Sequence, residues 1–226
     1  MTKNRIIFNL VIMAAIFITS CSNGSSNESS NSDEVTIVKQ VWMTKNLNVD
    51  KFRNGDTIPE AKTEGEWNAY GDAGKAAWCY YENDPKNGAK YGKLYNWYAV
   101  NDPRGLAPKG WHIPTDAEWT ELTDYLGGIE KAGAKMKSKE GWNENGNGTN
   151  ESGFKGLPGG FRNGDGAFNG DGAFNYIGYY GYWWSSAENG TNSAWSRYLY
   201  YGIGDVARNN DGKERGLSVR CLRDSR

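Results

Sequence analysis

The sequence is poor in the residues that build metal and redox centres. Its 226 residues include one His and three Cys, and no Cys-x-x-Cys pair occurs. Metal enzymes that rely on several His and Cys ligands are therefore disfavoured. A phosphate-binding loop and a Ser/His/Asp arrangement in an ordered context are also missing. The sequence offers no catalytic set, and we expect a protein that is not an enzyme.

An excess of either charge is missing as well. The chain has 26 Lys and Arg against 27 Asp and Glu, which gives a net charge of −1. Nucleic-acid-binding domains carry a basic patch or stripe, so we expect no nucleic-acid partner. A long apolar run is also absent. The run from Ile6 to Ile18 has about 13 residues, whereas a membrane-spanning helix needs about 20.

That short run belongs to a pattern typical of a bacterial lipoprotein signal. Lys3 and Arg5 precede it, and Ile-Thr-Ser-Cys follows at residues 18–21. Cys21 is the predicted lipid acceptor, and the segment before it is excluded from the fold. Acyl chains on Cys21 would give stable attachment, since each buried methylene contributes about 0.8 kcal/mol. An ordinary cleaved signal peptide and a retained anchor remain the alternatives.

These features predict three segments. Residues 1–20 form the signal peptide, residues 21–34 form a Ser/Asn-rich tether, and residues 35–226 form one domain. The predicted partner at the N-terminus is a lipid bilayer, and the predicted location is the cell envelope at the outer membrane. The first acidic residue after the acceptor cysteine is Glu28, so the sequence leaves the face of the membrane open.

Once Cys21 is acylated, two cysteines remain. Cys79 and Cys221 form an even pair, and such a pair in an oxidising compartment is most simply a disulfide. We therefore expect a bond between them. Two buried free thiols are the alternative.

Aromatic residues and glycine are abundant. The chain has 10 Trp, 14 Tyr and 30 Gly, a composition that favours short strands, tight turns and ordered loops over a helical bundle. Thr115 and Glu118 form a capping box, which predicts a helix over 116–126. A second helix is predicted near 129–137. Strands are predicted at 35–38, with a continuation at 41–42, and at 216–222.

The aromatic run at residues 176–184 is the main candidate binding surface. Its alternating glycines and rings could expose Tyr179, Tyr180, Tyr182 and Trp183 to a glycan or protein ligand, because aromatic faces bind at low entropy cost. Packing in the core is the alternative for the same rings. Trp184 and Trp195 are the predicted core members.

A second candidate site lies in a tandem repeat. Asn-Gly-Asp-Gly-Ala-Phe occurs twice over residues 163–174, and its Asp165 and Asp171 supply the oxygen ligands that Ca²⁺ prefers. Asn-Gly and Asp-Gly are also ordinary turn dipeptides. We therefore assign no cofactor, and calcium remains an alternative at these two residues. His112 and Glu118 are expected to have packing and capping roles.

Seven sequence blocks resemble a known family. The blocks are Val41–Asn48, Trp78–Tyr81, Tyr91–Trp97, Pro108–Trp119, Gly153–Gly160, Trp183–Ser186 and Ser218–Cys221. Together they resemble the Fibrobacter succinogenes major paralogous domain, which occurs on many exported lipoproteins of Bacteroidetes-type bacteria. The resemblance covers about residues 35–224, and it brings no known activity with it.

A more distant resemblance concerns the fold. The helix start at Pro114, the Trp-Ser-Ser block at 184–186 and the terminal Val219-Arg220 are similar to the formylglycine-generating enzyme group. That resemblance implies an α+β, C-type lectin-like fold with short antiparallel strands, about two helices and long ordered loops. The group's chemistry needs a reactive cysteine pair, and Cys221 does not match a member of that pair.

The leading hypothesis is a non-catalytic, lipid-anchored binding module that recognises a glycan or protein through an aromatic loop face. An enzyme of formylglycine-generating or related type is the alternative by fold analogy alone. A structural component of a cell-surface assembly is the third hypothesis.

Overall fold

The fold is α+β, as expected, in a computed structural model that describes residues 33–164 and 173–225. The strands are β1 (Glu34–Ile37), β2 (Gln40–Met43), β3 (Trp78–Cys79), β4 (Leu94–Tyr95), β5 (Trp111–His112), β6 (Gly159–Arg162), β7 (Phe174–Ile177), β8 (Tyr180–Glu188), β9 (Ser193–Tyr200), β10 (Val206–Gly212) and β11 (Leu222–Arg223). The helices are α1 (Glu64–Asp72), α2 (Pro85–Tyr91), α3 (Trp97–Val100), α4 (Asp116–Tyr125) and α5 (Ile129–Met136), with a 3₁₀ turn at Tyr81–Asn83. This part of the chain thus has five α-helices, where the sequence predicted about two.

The first sheet joins the two ends of the domain. Its strand order is β1-β2-β11-β5, and all its pairs are antiparallel. The predicted strand at 35–38 and its continuation at 41–42 are two strands of a hairpin, because the chain reverses at Val38, whose φ is 58°. Adjacent terminal strands agree with the C-type lectin-like expectation, which otherwise stays a prediction.

The second sheet contains the longest strands. Its order is β10-β9-β8-β6-β7; β6 meets β8 in parallel at Gly160 and Gly181, and the other neighbours are antiparallel. Side chains alternate along β8, so Trp183 packs into one hydrophobic cluster and Trp184 into another. Both tryptophans are buried. Both faces of β8 are therefore covered by apolar side chains at this point of the sheet.

The capping box predicted the clearest helix correctly. The Thr115 hydroxyl accepts from the Glu118 amide at 3.2 Å, and the Glu118 carboxylate accepts from the Thr115 amide at 2.8 Å. Helix α4 then places Trp119 and Leu122 in the core. Trp119 lies 4.8 Å from Trp42 between ring centroids, so the helix packs on the first sheet.

A buried cation lies between the two sheets. The Arg220 guanidinium is fully buried and donates to the Met43 carbonyl at 3.0 Å and to the Phe154 carbonyl at 2.6 Å. It also donates to Asn46 Oδ1 at 2.7 Å, and Trp183 Nε1 donates to the same oxygen at 2.8 Å. One amide oxygen thus holds parts of both sheets together.

The expected disulfide is not formed. Cys79 and Cys221 are both free and buried, and they lie in different hydrophobic clusters. Cys79 belongs to the hydrophobic cluster that contains Trp67 and Leu94, whereas Cys221 belongs to the cluster that contains Trp97. Each thiol fills space in its own cluster, so the alternative of two buried free thiols is the correct one.

Other expectations are corrected or fall outside the described residues. The predicted strand at 216–222 is reduced to β11, because residues 216–218 form single bridges to three different partners. Trp184 is buried as expected, but Trp195 is only half-buried and lies 3.2 Å from the Arg208 guanidinium. The predicted signal and lipid acceptor Cys21 lie outside the described residues, as do Asp165 and Asp171.

The shared Asn46 oxygen gives a stability prediction. In Asn46→Leu, Arg220 and Trp183 lose an acceptor that the apolar interior cannot replace, so we expect the free energy of unfolding to fall by about 2–4 kcal/mol. Urea unfolding monitored by tryptophan fluorescence measures the change. Asn48→Leu is the matched control, because Asn48 is exposed and makes only a 3.4 Å bond to the Gly88 carbonyl. Equal stability of the two variants would contradict the prediction.

Helix α4 also predicts a pH dependence. Burial raises the pKa of Glu118, but hydrogen bonds from Thr115 and His112 outweigh burial and hold it below its usual value of 4.5. A carboxyl with a lowered pKa in the folded state stabilises the fold above its unfolded pKa, and this stabilisation is lost as the pH falls through the folded pKa.

We therefore expect Glu118→Gln to lose less stability than the wild type between about pH 5 and pH 3. Chemical denaturation across this range measures the difference, with exposed Glu151→Gln as the control. Parallel pH profiles for the wild type and Glu118→Gln would contradict the expected role of this carboxyl.

Candidate functional site

Five tyrosine rings surround a shallow surface groove at one end of the second sheet. The groove has a volume of about 210 Å³, and its described lining consists of Tyr176, Tyr179, Tyr180, Tyr200 and Tyr201. We call it the tyrosine groove. The rings form a chain of contacts in which the centroids of successive pairs lie between 4.6 and 5.2 Å apart. This series of ring contacts begins at Tyr176 and ends at Tyr179. These two residues are only three positions apart in the sequence, so the aromatic wall curves back on itself.

Strand register brings the two halves of the groove together. Tyr180 on β8 pairs with Tyr200 on β9, and two residues further Tyr182 pairs with Tyr198. Side chains two residues apart share a face, so all four rings lie on one side of the sheet. The ring centroids of Tyr180 and Tyr200 are 4.6 Å apart, and these two rings form the floor of the tyrosine groove.

Tyr176 on β7 supplies one wall of the groove. Tyr176 has a φ of 63°, a left-handed conformation that costs a bulky residue about 1–3 kcal/mol. Its ring is 45% exposed and contacts Tyr180 at 5.2 Å and Phe161 at 5.9 Å. Gly160 on the paired strand has the same φ of 63°. A Cβ there would lie 2.5 Å from the Asn175 carbonyl oxygen, so only glycine lets the two strands approach this closely.

A buried lysine supports the opposite wall. Lys137 Nζ donates to the carbonyls of Tyr200, Tyr201 and Ile203 at 3.2, 3.0 and 2.9 Å. Burial lowers the pKa of Lys137. The three carbonyls fix the backbone that carries Tyr200 and Tyr201, so the wall is rigid although it lies at the end of a strand.

A carboxylate stands beside the same wall. The side chains of Tyr200 and Glu144 lie beside Tyr201 and raise the pKa of its hydroxyl. Glu144 is exposed and has a left-handed φ of 50°. The loop that carries it packs closely on Tyr201, since a Cβ at Gly146 would lie 2.6 Å from the Tyr201 carbonyl oxygen. The tyrosine groove therefore has one acidic residue at its edge.

The sequence identified part of this groove. Tyr179 and Tyr180, two of the predicted ligand-binding residues, line it, and ligand binding by them stays a prediction. Tyr182 and Trp183 are buried instead, with exposures of 9% and 1%, so their assignment as ligand-binding residues is corrected. Trp183 points into the core, where its ring lies 5.6 Å from Phe154.

Three lining residues were missed by sequence reasoning. Tyr176 lies inside the run from 176 to 184 but was not selected, whereas Tyr200 and Tyr201 lie outside it. The alternation of β9 could have placed Tyr198 and Tyr200 on one face. The register of β9 against β8 depends on contacts between distant parts of the sequence. No local sequence pattern therefore predicts that Tyr200 lies beside Tyr180.

Reactive groups elsewhere in the described structure are shielded. Burial raises the pKa of Cys79 to about 11 and that of Cys221 to about 12, so both thiols are protonated at neutral pH and closed to solvent. Both ring nitrogens of His112 already face carboxylates, with Glu118 Oε1 at 3.0 Å and Asp224 Oδ1 at 2.9 Å. Among residues 33–164 and 173–225, no group of three or more His, Cys, Asp or Glu side chains could hold a metal ion.

Comparison with known proteins gives one match. The sequence model of the Fibrobacter succinogenes major domain matches residues 35–223. Neither a curated protein nor a solved structure matches the chain. The match spans all the named strands and helices except the first residue of β1. The chain therefore belongs to the Fibrobacter succinogenes major domain family.

Proposed function

We propose that this protein is a lipid-anchored, exported binding module that recognises a glycan through the tyrosine groove. The observation that carries the proposal is the curved wall of five tyrosines, each in contact with the next. Exposed aromatic faces stack on apolar surfaces, and the hydroxyl of tyrosine adds a hydrogen-bonding group at the same place. Sugar rings present both an apolar face and hydroxyl groups, so they match this surface.

The size of the tyrosine groove limits what enters it. At about 210 Å³ it is smaller than the range of about 300–1,000 Å³ that is typical of small-molecule pockets. It therefore takes one ring or one substituent of a larger ligand, which extends into solvent. A glycan chain bound at one sugar unit satisfies this condition.

The rigidity of the tyrosine groove also favours binding. The backbone at 200–203 is held by Lys137, and Tyr176 is held in a strained conformation by the surrounding strands. A preformed site loses little conformational entropy when a ligand enters it. Strained residues persist where the surrounding structure over-determines them, and they cluster at ligand-binding sites.

The proposed anchor is the acylated Cys21. None of the helices in the described part of the chain is long and apolar enough to cross a membrane. The proposed spacer is the Ser/Asn-rich segment that the sequence predicts between Cys21 and the domain.

Replacement of a groove tyrosine tests this function. The full-length chain in detergent is screened against immobilised polysaccharides and oligosaccharides, and the affinity for each retained glycan is measured by calorimetry. We expect Tyr179→Ala and Tyr200→Ala to weaken binding about tenfold each, because each removes a stacking face. Tyr125→Ala is the matched control, since Tyr125 is 61% exposed on α4 and does not line the groove.

Two results would contradict the proposal. One is that a folded wild-type chain retains no glycan on the array. The other is that glycan binding weakens equally in the Tyr125 control and in the groove variants.

A further inference from the structure

We propose that the group recognised by the tyrosine groove is cationic, so that the preferred ligand is an amino sugar with a free ammonium group rather than a neutral or anionic sugar. This inference rests on the proposed function of the groove. It follows from the distribution of charge around the five rings and from the burial of basic side chains inside the described domain.

The described lining of the groove consists of aromatic rings and contains no basic side chain. The face of each aromatic ring carries the negative end of its quadrupole, which attracts a cation within about 6 Å of the ring centroid. The ring planes turn along the wall, with angles of 58° between Tyr176 and Tyr180 and 72° between Tyr200 and Tyr201. Rings at such angles surround a compact group on several sides, whereas a flat platform contacts one side.

Glu144 adds a full negative charge. Its carboxylate is exposed and lies beside the Tyr201 side chain, whose pKa it raises. This contact places it at the edge of the tyrosine groove, within reach of an ammonium group that lies against the rings. The left-handed φ values of Glu144 and Asn145, 50° and 61°, show that the loop adopts an unfavourable backbone conformation in presenting this carboxylate.

Basic side chains are kept away from the entrance. None of the described residues that line the groove is Lys or Arg. Lys137 supports one wall but lies behind the backbone, with its Nζ bound to three carbonyls. Its charge is therefore compensated by the same peptide groups that carry the tyrosines, and it does not project into the groove.

Over the whole described domain, basic side chains are buried more often than acidic ones. Six basic side chains are buried, and one acidic side chain is buried, so the surface is more acidic than the net charge of −1 indicates. The buried basic residues are Lys93, Lys137, Arg162, Arg197, Lys213 and Arg220, and the buried acidic residue is Asp211. A surface of this sign favours the approach of a cationic glycan and disfavours an anionic one.

A matched set of oligosaccharides tests the inference. The full-length chain in detergent is titrated with glucosamine tetramer, N-acetylglucosamine tetramer and cellotetraose at about pH 6, where an amine is protonated. We expect the glucosamine tetramer to bind about tenfold more tightly than cellotetraose, since cation–π and carboxylate contacts act only on the ammonium. The N-acetylated tetramer has the same sugar backbone without the charge and should bind no more tightly than cellotetraose.

Two variants separate charge from stacking. Glu144→Gln should reduce the preference for glucosamine tetramer over cellotetraose severalfold, because it removes charge and keeps the shape of the side chain. Glu151→Gln, an exposed carboxylate outside the groove lining, should leave the preference unchanged. Tyr179→Ala should weaken all three ligands.

Equal or tighter binding of cellotetraose would overturn the cationic ligand, as would an unchanged preference in Glu144→Gln. In both cases a loss of binding in Tyr179→Ala would still support the proposed function. If binding of every retained glycan is insensitive to Tyr179→Ala, the tyrosine groove is not the site, and both proposals fail.

Discussion

The fold depends on the hydrogen bonds that converge on the Asn46 amide. Its Oδ1 accepts from Arg220 and from Trp183, and its Nδ2 donates to the Tyr91 carbonyl at 2.8 Å. Arg220 reaches the Phe154 carbonyl from the same place. These residues come from five of the blocks that carry the family resemblance, so the blocks describe a structural centre. Burial lowers the pKa of Arg220 to about 9, yet the guanidinium remains charged at neutral pH and requires these acceptors.

This centre positions the tyrosine groove without taking part in it. Trp183 is anchored to Asn46 on one face of β8, and Tyr180 projects from the other face of the same strand. Fixing the strand on its buried side therefore fixes the floor of the groove. The separation leaves the residues around Tyr176 and Tyr201 outside the hydrogen bonds of Arg220.

Local chemistry made some of these features predictable. The capping box of Thr115 and Glu118 specified helix α4, because both hydrogen bonds lie within four residues. Strict alternation would have separated Tyr182 and Trp183 onto opposite faces of β8. The pairing of Tyr180 with Tyr200 was not predictable, since it depends on register between strands. The absent disulfide has a similar cause: two cysteines in a chain predicted to be exported suggest a bond, but only packing shows that each occupies a separate cluster.

Buried basic residues link stability to recognition. Lys137, Arg162 and Arg220 all donate to backbone carbonyls: Arg162 to those of Ala61 and Thr63, and Lys137 to those of Tyr200, Tyr201 and Ile203. Such bonds tie together segments with few regular strand pairs, and long connections with many irregular carbonyls need donors of this kind. Each cation used inside the fold is one fewer on the surface. In a chain whose charges are nearly balanced, the exposed surface then becomes acidic. The excess of acidic over basic side chains on the described surface thus follows from the way the loops are held in place.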